Sequence, residues 1–181
     1  MKETQHTKTL KLCTGALLLA AGILLPQVFH MIGGQAMGGM FLPMHLPVFV
    51  AGLLLGPFYG CAIGVITPII SFFVTTMPPA AKLPFMLIEL ATYGLMAGLL
   101  RKKNLNIYIS LILAQIAGRL TNALALVCAA YLFHLEVPAV ITVGTAVVTG
   151  IPGLIIQLVL VPAVVILIER VLHFGNKPAN L

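Results

Sequence analysis

The stretch from Phe41 to Leu100 constrains the fold more than any other part of the chain. It is almost wholly apolar, is broken at intervals by Pro and Gly, and carries only two formal charges, Lys82 and Glu89, with one histidine, His45. The surface of a water-soluble domain would need many more charged side chains. We therefore predict that this stretch lies in lipid, where a retained polar group is costly and is expected to have a use.

The composition of the whole chain supports the same class of protein. Hydrophobic residues make up 60% of it and charged residues 8%, with a mean hydropathy of +1.12, whereas a soluble domain carries about 25% charged residues. We predict a single all-α integral membrane domain over residues 1–181. The apolar run Leu12–Phe29 is longer than the core of a cleavable signal peptide and no clear cleavage site follows it, so it is predicted to be the first span.

Proline, glycine and basic clusters divide the chain into six predicted transmembrane helices. Their expected boundaries are about 8–29, 44–55, 58–75, 83–100, 107–133 and 139–171. The second of these is shorter than a full span, which needs about 20 residues. The glycine-rich segment His30–Pro43 is predicted to be an outer loop, and its Met and Phe residues indicate a lid that packs on something apolar.

The basic residues predict the orientation. Eight of the ten Lys and Arg precede the first span, lie in the loop after the fourth or follow the last: Lys2, Lys8, Lys11, Arg101, Lys102, Lys103, Arg170 and Lys177. Cytoplasmic loops of membrane proteins carry an excess of such residues. We therefore predict that the N- and C-termini are both cytoplasmic, and we interpret the net positive charge as a topology signal rather than a nucleic-acid-binding surface.

The polar residues inside the predicted helices form the candidate site. They are Glu89 and Tyr93 one turn apart in the fourth helix, Gln115, Arg119 and Asn122 on one face of the fifth, Gln157 in the sixth, and His45 at the outer start of the second. A central Arg is expensive in lipid unless it is partnered or hydrated. Two interpretations stay open: a structural Glu89–Arg119 pair, or a ligand-binding cavity lined by Arg119, Asn122, Glu89 and His45. Depths counted from the predicted helix ends differ for Glu89 and Arg119, which argues against a direct pair.

Catalytic motifs are absent from the sequence. There is no Asp, there are two Ser, and no nucleophile elbow, His-Glu-x-x-His, Cys-x-x-Cys or Walker loop occurs. The three cysteines, Cys13, Cys61 and Cys128, fall in different predicted spans without metal-ligand or disulfide spacing. We expect no enzymatic activity, no metal and no cofactor.

Four segments carry a resemblance to a known family. They are FLPMHLPVFVAGLLLGPFYG (Phe41–Gly60), TTMPP (Thr75–Pro79), LPFMLIELATYGLMAGLL (Leu83–Leu100) and AGRLTNAL (Ala117–Leu124). With them the chain resembles, over nearly its whole length, the substrate-binding S components of energy-coupling factor (ECF) vitamin transporters. The resemblance implies six helices and a vitamin bound near the outer face, capped by the loop between the first two helices.

The same resemblance implies partners and roles for individual residues. Such S components pair with a transmembrane coupling subunit and two cytoplasmic ATPases in the bacterial plasma membrane, and deliver the vitamin by reorienting as a whole. The family's small-residue motif that contacts the coupling subunit is similar to Ala16 and Ala20 of the first helix. The family's site lies among helices four to six and the outer loops, and here that region holds Glu89, Tyr93, Arg119, Asn122 and Gln157.

The identity of the ligand stays open at this point. Arg119 would suit a carboxylate such as pantothenate through a bidentate contact. If Glu89 already neutralises Arg119, a neutral B6-type or pyrimidine vitamin fits better, and cobalamin would need a wide outer cavity. Two other functions are alternatives: an autonomous permease coupled to protons through Glu89 or His45, and a membrane scaffold in which the Glu89–Arg119 pair is purely structural.

Overall fold

The computed structural model of the chain describes residues 5–131 and 143–172. All regular structure within these ranges is helical: α1 (Gln5–Phe41), α2 (His45–Leu55), α3 (Pro57–Thr75), α4 (Leu83–Lys102), α5 (Ile107–Tyr131) and α6 (Val143–Leu172). Six stretches in the described ranges are long and apolar enough to cross a membrane. The prediction of an all-α membrane protein with six spans is therefore confirmed. The expected helix ends at 133 and 139 lie outside the described residues.

The prediction of a loop over the whole of His30–Pro43 is wrong, because the residues up to Phe41 are helical except at Gly33 and Gly34. The helix is interrupted at Gly33 (φ −144°, ψ 22°) and Gly34 (φ 65°, ψ −161°), and is helical on both sides of them. Glycine reaches the positive-φ conformation of Gly34 without steric cost. Met31 and Ala36, which lie two residues before and two residues after the pair of glycines, favour a helix, so the non-helical backbone is confined to the glycines.

The chain reverses its direction at these two glycines. The ring centroids of Phe29 and Phe41 are 5.4 Å apart, whereas residues so far apart in a straight helix would be separated by about 18 Å along its axis. We call residues 36–41 the returning segment. The second span runs over Ala36–Leu55 and combines the returning segment with α2. This explains why α2 alone, with 11 residues, is too short to cross.

Glycines bring α2, α3 and α4 into backbone contact. A Cβ atom added to Gly94 would overlap the backbone of Gly60, and one added to Gly60 would overlap the carbonyl of Gly94 and the Cα atom of Gly52. One turn along α3, a Cβ on Gly64 would overlap the carbonyl of Leu90. Small residues permit this close helix packing in lipid, where there is little hydrophobic drive between helices. The three helices therefore form one closely packed unit.

This packing fixes the rotation of α4 about its axis. With Gly94 held against α2 and α3, the neighbouring residues Glu89 and Tyr93 are buried between α2 and α5. At the other end of the helix, Arg101 Nη2 donates to Glu169 Oε1 of α6 at 3.2 Å. α4 and α6 therefore end on the same side of the molecule. The cytoplasmic location of that side stays a prediction.

Replacing Gly94 with Ala should destabilise the helix unit. The added methyl group has no space against the Gly60 backbone, and overpacking of this kind costs about 1–3 kcal/mol. Gly39→Ala is the matched control, because a Cβ there meets nothing within 4 Å. Thermal unfolding of the detergent-solubilised protein, followed by the loss of its monodisperse size-exclusion peak, should show a lower midpoint for Gly94→Ala alone. Equal midpoints for the two variants would contradict the backbone contact.

Candidate functional site

The carboxylate of Glu89 is the centre of a polar cluster inside the helix bundle. Its residue is only 6% exposed. The Tyr93 hydroxyl donates to Oε1 at 2.7 Å, the Asn122 amide donates to Oε2 at 2.9 Å, and Arg119 Nη1 lies 3.1 Å from Oε1. Three donors on two helices therefore surround one carboxylate. A buried carboxylate needs partners of this kind, because desolvation without them is strongly unfavourable.

Helical spacing brings these donors to the carboxylate. Tyr93 follows Glu89 by four residues on α4, and Asn122 follows Arg119 by three on α5, so each pair shares a helix face. Gly118 precedes Arg119, and a Cβ on it would overlap the Tyr93 ring. The absence of a side chain at Gly118 lets α5 approach closely enough for the contacts to form.

Two residues of α2 pack against the Tyr93 ring. The Phe49 ring centroid lies 4.7 Å from it and that of His45 lies 5.3 Å from it. All three residues are buried. Tyr93 therefore joins the polar cluster through its hydroxyl and the apolar core through its ring, a division that suits its amphipathic side chain.

The direct Glu89–Arg119 pair contradicts the expectation drawn from helix depth. Asn122 Nδ2 contacts the carbonyl of Phe85 at 3.4 Å, close to the start of α4, yet α5 continues to Tyr131. α5 therefore extends well past the end of α4 at Leu83. The depths of Glu89 and Arg119, each counted from the end of its own helix, differ for that reason, although the two side chains lie at the same level.

Four nitrogen atoms beside the carboxylate have no hydrogen-bond partner among the described residues. They are Nδ1 and Nε2 of His45 and Nε and Nη2 of Arg119. His45 is 2% exposed, and its Nε2 lies 3.9 Å from Glu89 Oε1, which is too long for a hydrogen bond. Buried polar atoms are nearly always paired. The cluster therefore keeps hydrogen-bonding capacity that the described side chains do not use.

Gln157 lies beside the Glu89 cluster in a second hydrogen-bond network. Its Oε1 accepts from Gln115 Nε2 at 3.1 Å, and its own Nε2 contacts the carbonyl of Leu42 at 3.5 Å. Gln115 Nε2 also lies 3.3 Å from the carbonyl of Leu154. This network joins α5 and α6 to the turn that follows the returning segment. The polar stripe of α5 predicts from the sequence that Gln115 takes part in a polar site. No sequence pattern predicts that the Leu42 carbonyl belongs to this network.

The returning segment contacts α6 through glycines. A Cβ on Gly153 would lie 2.8 Å from the Met40 carbonyl oxygen. A Cβ on Gly150 would lie 2.5 Å from Arg119 Nη2 and 3.2 Å from Leu42 Cδ1. The guanidinium of Arg119 therefore sits between the backbone of α6 and the turn at Leu42, and the returning segment covers this side of the polar groups.

The side chains of the cluster suit recognition of a small molecule. His45 and Arg119 offer hydrogen-bonding nitrogens, and Glu89 orients the guanidinium. Within residues 5–131 and 143–172 no three His, Cys, Asp or Glu side chains lie close enough to hold a metal ion.

The six predicted site residues divide into two groups. The structure brings His45, Glu89, Tyr93, Arg119 and Asn122 around one carboxylate, and it places Gln157 in the neighbouring network.

The family model of the ECF transporter, substrate-specific component, matches residues 10–165. The chain belongs to this family. No match was found among curated proteins or among solved structures. The resemblance seen in the sequence is confirmed, and this substrate-specific component is a multi-pass membrane subunit of an ECF importer.

Breaking the Glu89–Arg119 pair from one side should destabilise the protein strongly. Glu89→Gln leaves an unpaired guanidinium inside the bundle, and removal of one partner of a buried pair costs about 3–5 kcal/mol. The double variant Glu89→Gln/Arg119→Gln should recover much of that loss, because no charge remains. A double-mutant cycle on thermal unfolding measures the coupling between the two residues.

The pair Arg101–Glu169 is the matched control for this cycle. It has a similar distance, 3.2 Å, but its side chains are 21% and 24% exposed. Partly solvated pairs contribute about 0–1 kcal/mol. If the two cycles gave the same small coupling energy, the Glu89–Arg119 pair would not be an interaction on which the fold depends.

Proposed function

We propose that this substrate-specific component binds a vitamin at the Glu89 cluster near the outer face of the bacterial plasma membrane. In this proposal, both termini are cytoplasmic and the component reorients with a transmembrane coupling subunit and two cytoplasmic ATPases to deliver the vitamin. The observation that supports the site is a set of buried nitrogens on His45 and Arg119, near Glu89 Oε1, that have no hydrogen-bond partner within residues 5–131 and 143–172.

The unpaired nitrogens favour a ligand with hydrogen-bonding atoms. A buried polar group without a partner costs about 1–3 kcal/mol, so a ligand that pairs with several of them recovers a substantial free energy on binding. A purely structural cluster has no such reserve, because its polar atoms would be satisfied internally. This difference favours the binding function over a scaffold.

The pairing of Glu89 with Arg119 favours an uncharged ligand. The ion pair is neutral as a unit, and an added carboxylate would place an unbalanced negative charge inside the membrane. A B6-type or pyrimidine vitamin therefore fits better than pantothenate.

α1 supplies the proposed contact with the coupling subunit. Ala16 and Ala20 are both exposed and lie one helical turn apart. Leu17 and Leu24, which are also exposed, add apolar surface to the same helix. Small residues at this spacing let a second helix approach closely within a bilayer.

Vitamin binding should depend on the Tyr93 hydroxyl. Native mass spectrometry of the purified chain against a panel of vitamins should find one that is retained. Tyr93→Phe removes a donor to Glu89 and should weaken binding by about tenfold, which corresponds to 1.4 kcal/mol. Tyr108→Phe, on the exposed face of α5, is the control and should bind normally. If the wild-type chain retained no vitamin, a scaffold function would be favoured. If Tyr93→Phe and Arg119→Ala both bound the vitamin as the wild type does, the vitamin would have to bind outside the Glu89 cluster.

Assembly with the partners should depend on the small-residue face of α1. Ala16→Leu/Ala20→Leu should lose co-purification with the coupling subunit and the ATPases while vitamin binding by the isolated chain persists. Ala130→Leu, at another exposed alanine, is the control and should still assemble. Uptake of the vitamin by this chain alone after depletion of ATP would instead identify an autonomous permease.

A further inference from the structure

The end of the molecule where α4 and α6 meet carries a cluster of cations. Arg101, Lys102 and Lys103 close α4, and Arg170 follows Glu169 in the last turn of α6. The contact of 3.2 Å between Arg101 Nη2 and Glu169 Oε1 brings the two helix ends together. We call the four cations Arg101, Lys102, Lys103 and Arg170 the basic end.

The positive charge of the basic end is only partly balanced. Within residues 5–131 and 143–172 there are two carboxylates, Glu89 and Glu169. Glu89 lies in the buried cluster, and Glu169 contacts one of the four cations. The other three cations are exposed and have no carboxylate partner in these ranges. The basic end therefore presents an excess of positive charge to its surroundings.

The basic end lies at the level of a membrane surface. The membrane-crossing stretches of α4 and α5 meet there, and Tyr108, the second residue of α5, is 44% exposed. Tyrosines of membrane proteins are enriched where hydrocarbon meets the lipid headgroups. The four cations are therefore within reach of lipid phosphates on this side of the bilayer.

An exposed apolar surface leads along each helix to the basic end. On α4, Leu95 and Leu99 are 38% and 39% exposed, and Lys102 follows Leu99 by three residues. On α6, Leu167 is 61% exposed and precedes Arg170 by three residues. Residues three or four apart share a helix face, so each of these cations stands at the end of an apolar stripe. A molecule with an anionic head and an apolar chain matches both parts of this surface.

A phospholipid with a net negative charge has this chemistry. Its phosphate accepts charge-assisted hydrogen bonds from guanidinium and ammonium groups, and its acyl chains cover apolar side chains. Clusters of about four to eight Lys and Arg beside the end of a transmembrane helix are typical of anionic-lipid binding. A zwitterionic lipid carries its own cation, which the basic end repels, and a water-soluble phosphate makes no use of the apolar stripes.

We propose that the basic end binds the headgroup of an anionic phospholipid, whose acyl chains lie along Leu95 and Leu99 of α4. Lys102, Lys103 and Arg170 supply the positive charge that the phosphate balances, and the ion pair between α4 and α6 keeps them together. This lipid site is separate from the candidate vitamin site and does not depend on the proposed function.

Native mass spectrometry of the delipidated full chain tests this proposal. The probes are phosphatidylglycerol, which is anionic, and phosphatidylcholine, which is zwitterionic, offered together in equal amounts with identical acyl chains. The wild type should retain phosphatidylglycerol in clear excess. Lys102→Gln/Lys103→Gln should lower the ratio of retained phosphatidylglycerol to phosphatidylcholine by about tenfold or more, because each cation near an anionic headgroup contributes separately.

Lys82 and Lys103 provide a matched comparison, because these exposed lysines flank the two ends of the same helix. Lys103→Gln should lower the ratio by about fivefold, whereas Lys82→Gln, which removes the same charge, should leave it within about twofold of the wild type. Glu169→Gln should raise the ratio, because it removes the carboxylate that competes with the phosphate for the cations. If the double variant does not fold, as judged from its size-exclusion peak, Lys103→Gln alone carries the test.

A soluble competitor separates a lipid from a free phosphate. Glycerol 1-phosphate in large excess should leave phosphatidylglycerol bound, because it offers a phosphate without acyl chains. Displacement of the lipid would instead assign the basic end to a water-soluble phosphate compound and overturn the proposal. Three further results overturn it: equal retention of the two lipids by the wild type, equal effects of Lys103→Gln and Lys82→Gln, and a lower ratio in Glu169→Gln.

Discussion

The burial of the Glu89 carboxylate is the constraint on which the rest of the site depends. A lone carboxylate in lipid is strongly disfavoured, and the structure surrounds this one with a hydroxyl, an amide and a guanidinium. Each donor requires a particular helix at a particular rotation. The backbone contact between Gly94 and Gly60 turns α4 so that the carboxylate faces α5, and Gly118 allows α5 to come close. A packing feature built from glycine therefore determines where the charge can be stabilised.

The same arrangement leaves part of the Arg119 guanidinium outside the ion pair with Glu89. Arg119 uses Nη1 to neutralise Glu89, while Nε and Nη2 take no part in that contact. A planar guanidinium can serve two partners at once because its five N–H groups point in fixed directions. A lysine at this position would present a compact point charge and could not divide its contacts in the same way. The side chain thus neutralises Glu89 and keeps two N–H groups that the described residues do not use.

Much of the fold could be predicted from the sequence, because proline and basic clusters mark helix ends directly. The expected spans 58–75 and 83–100 lie within two residues of the observed α3 and α4. The members of the polar cluster were also predictable, since polar side chains are conspicuous in apolar helices. The reversal at Gly33 and Gly34 was not, because glycine suits a loop and a helix break equally well. The Glu89–Arg119 contact depends on the relative height of two helices, which no local pattern encodes.

The contact between Gln157 and the Leu42 carbonyl has a consequence for how the protein is made. These residues are 115 positions apart, and they join the turn after the first helical hairpin to the last helix. A nascent chain emerges from the ribosome in order, so the turn at Leu42 enters the membrane long before its partner is synthesised. The candidate site is therefore completed only when α6 has been inserted, close to the end of translation.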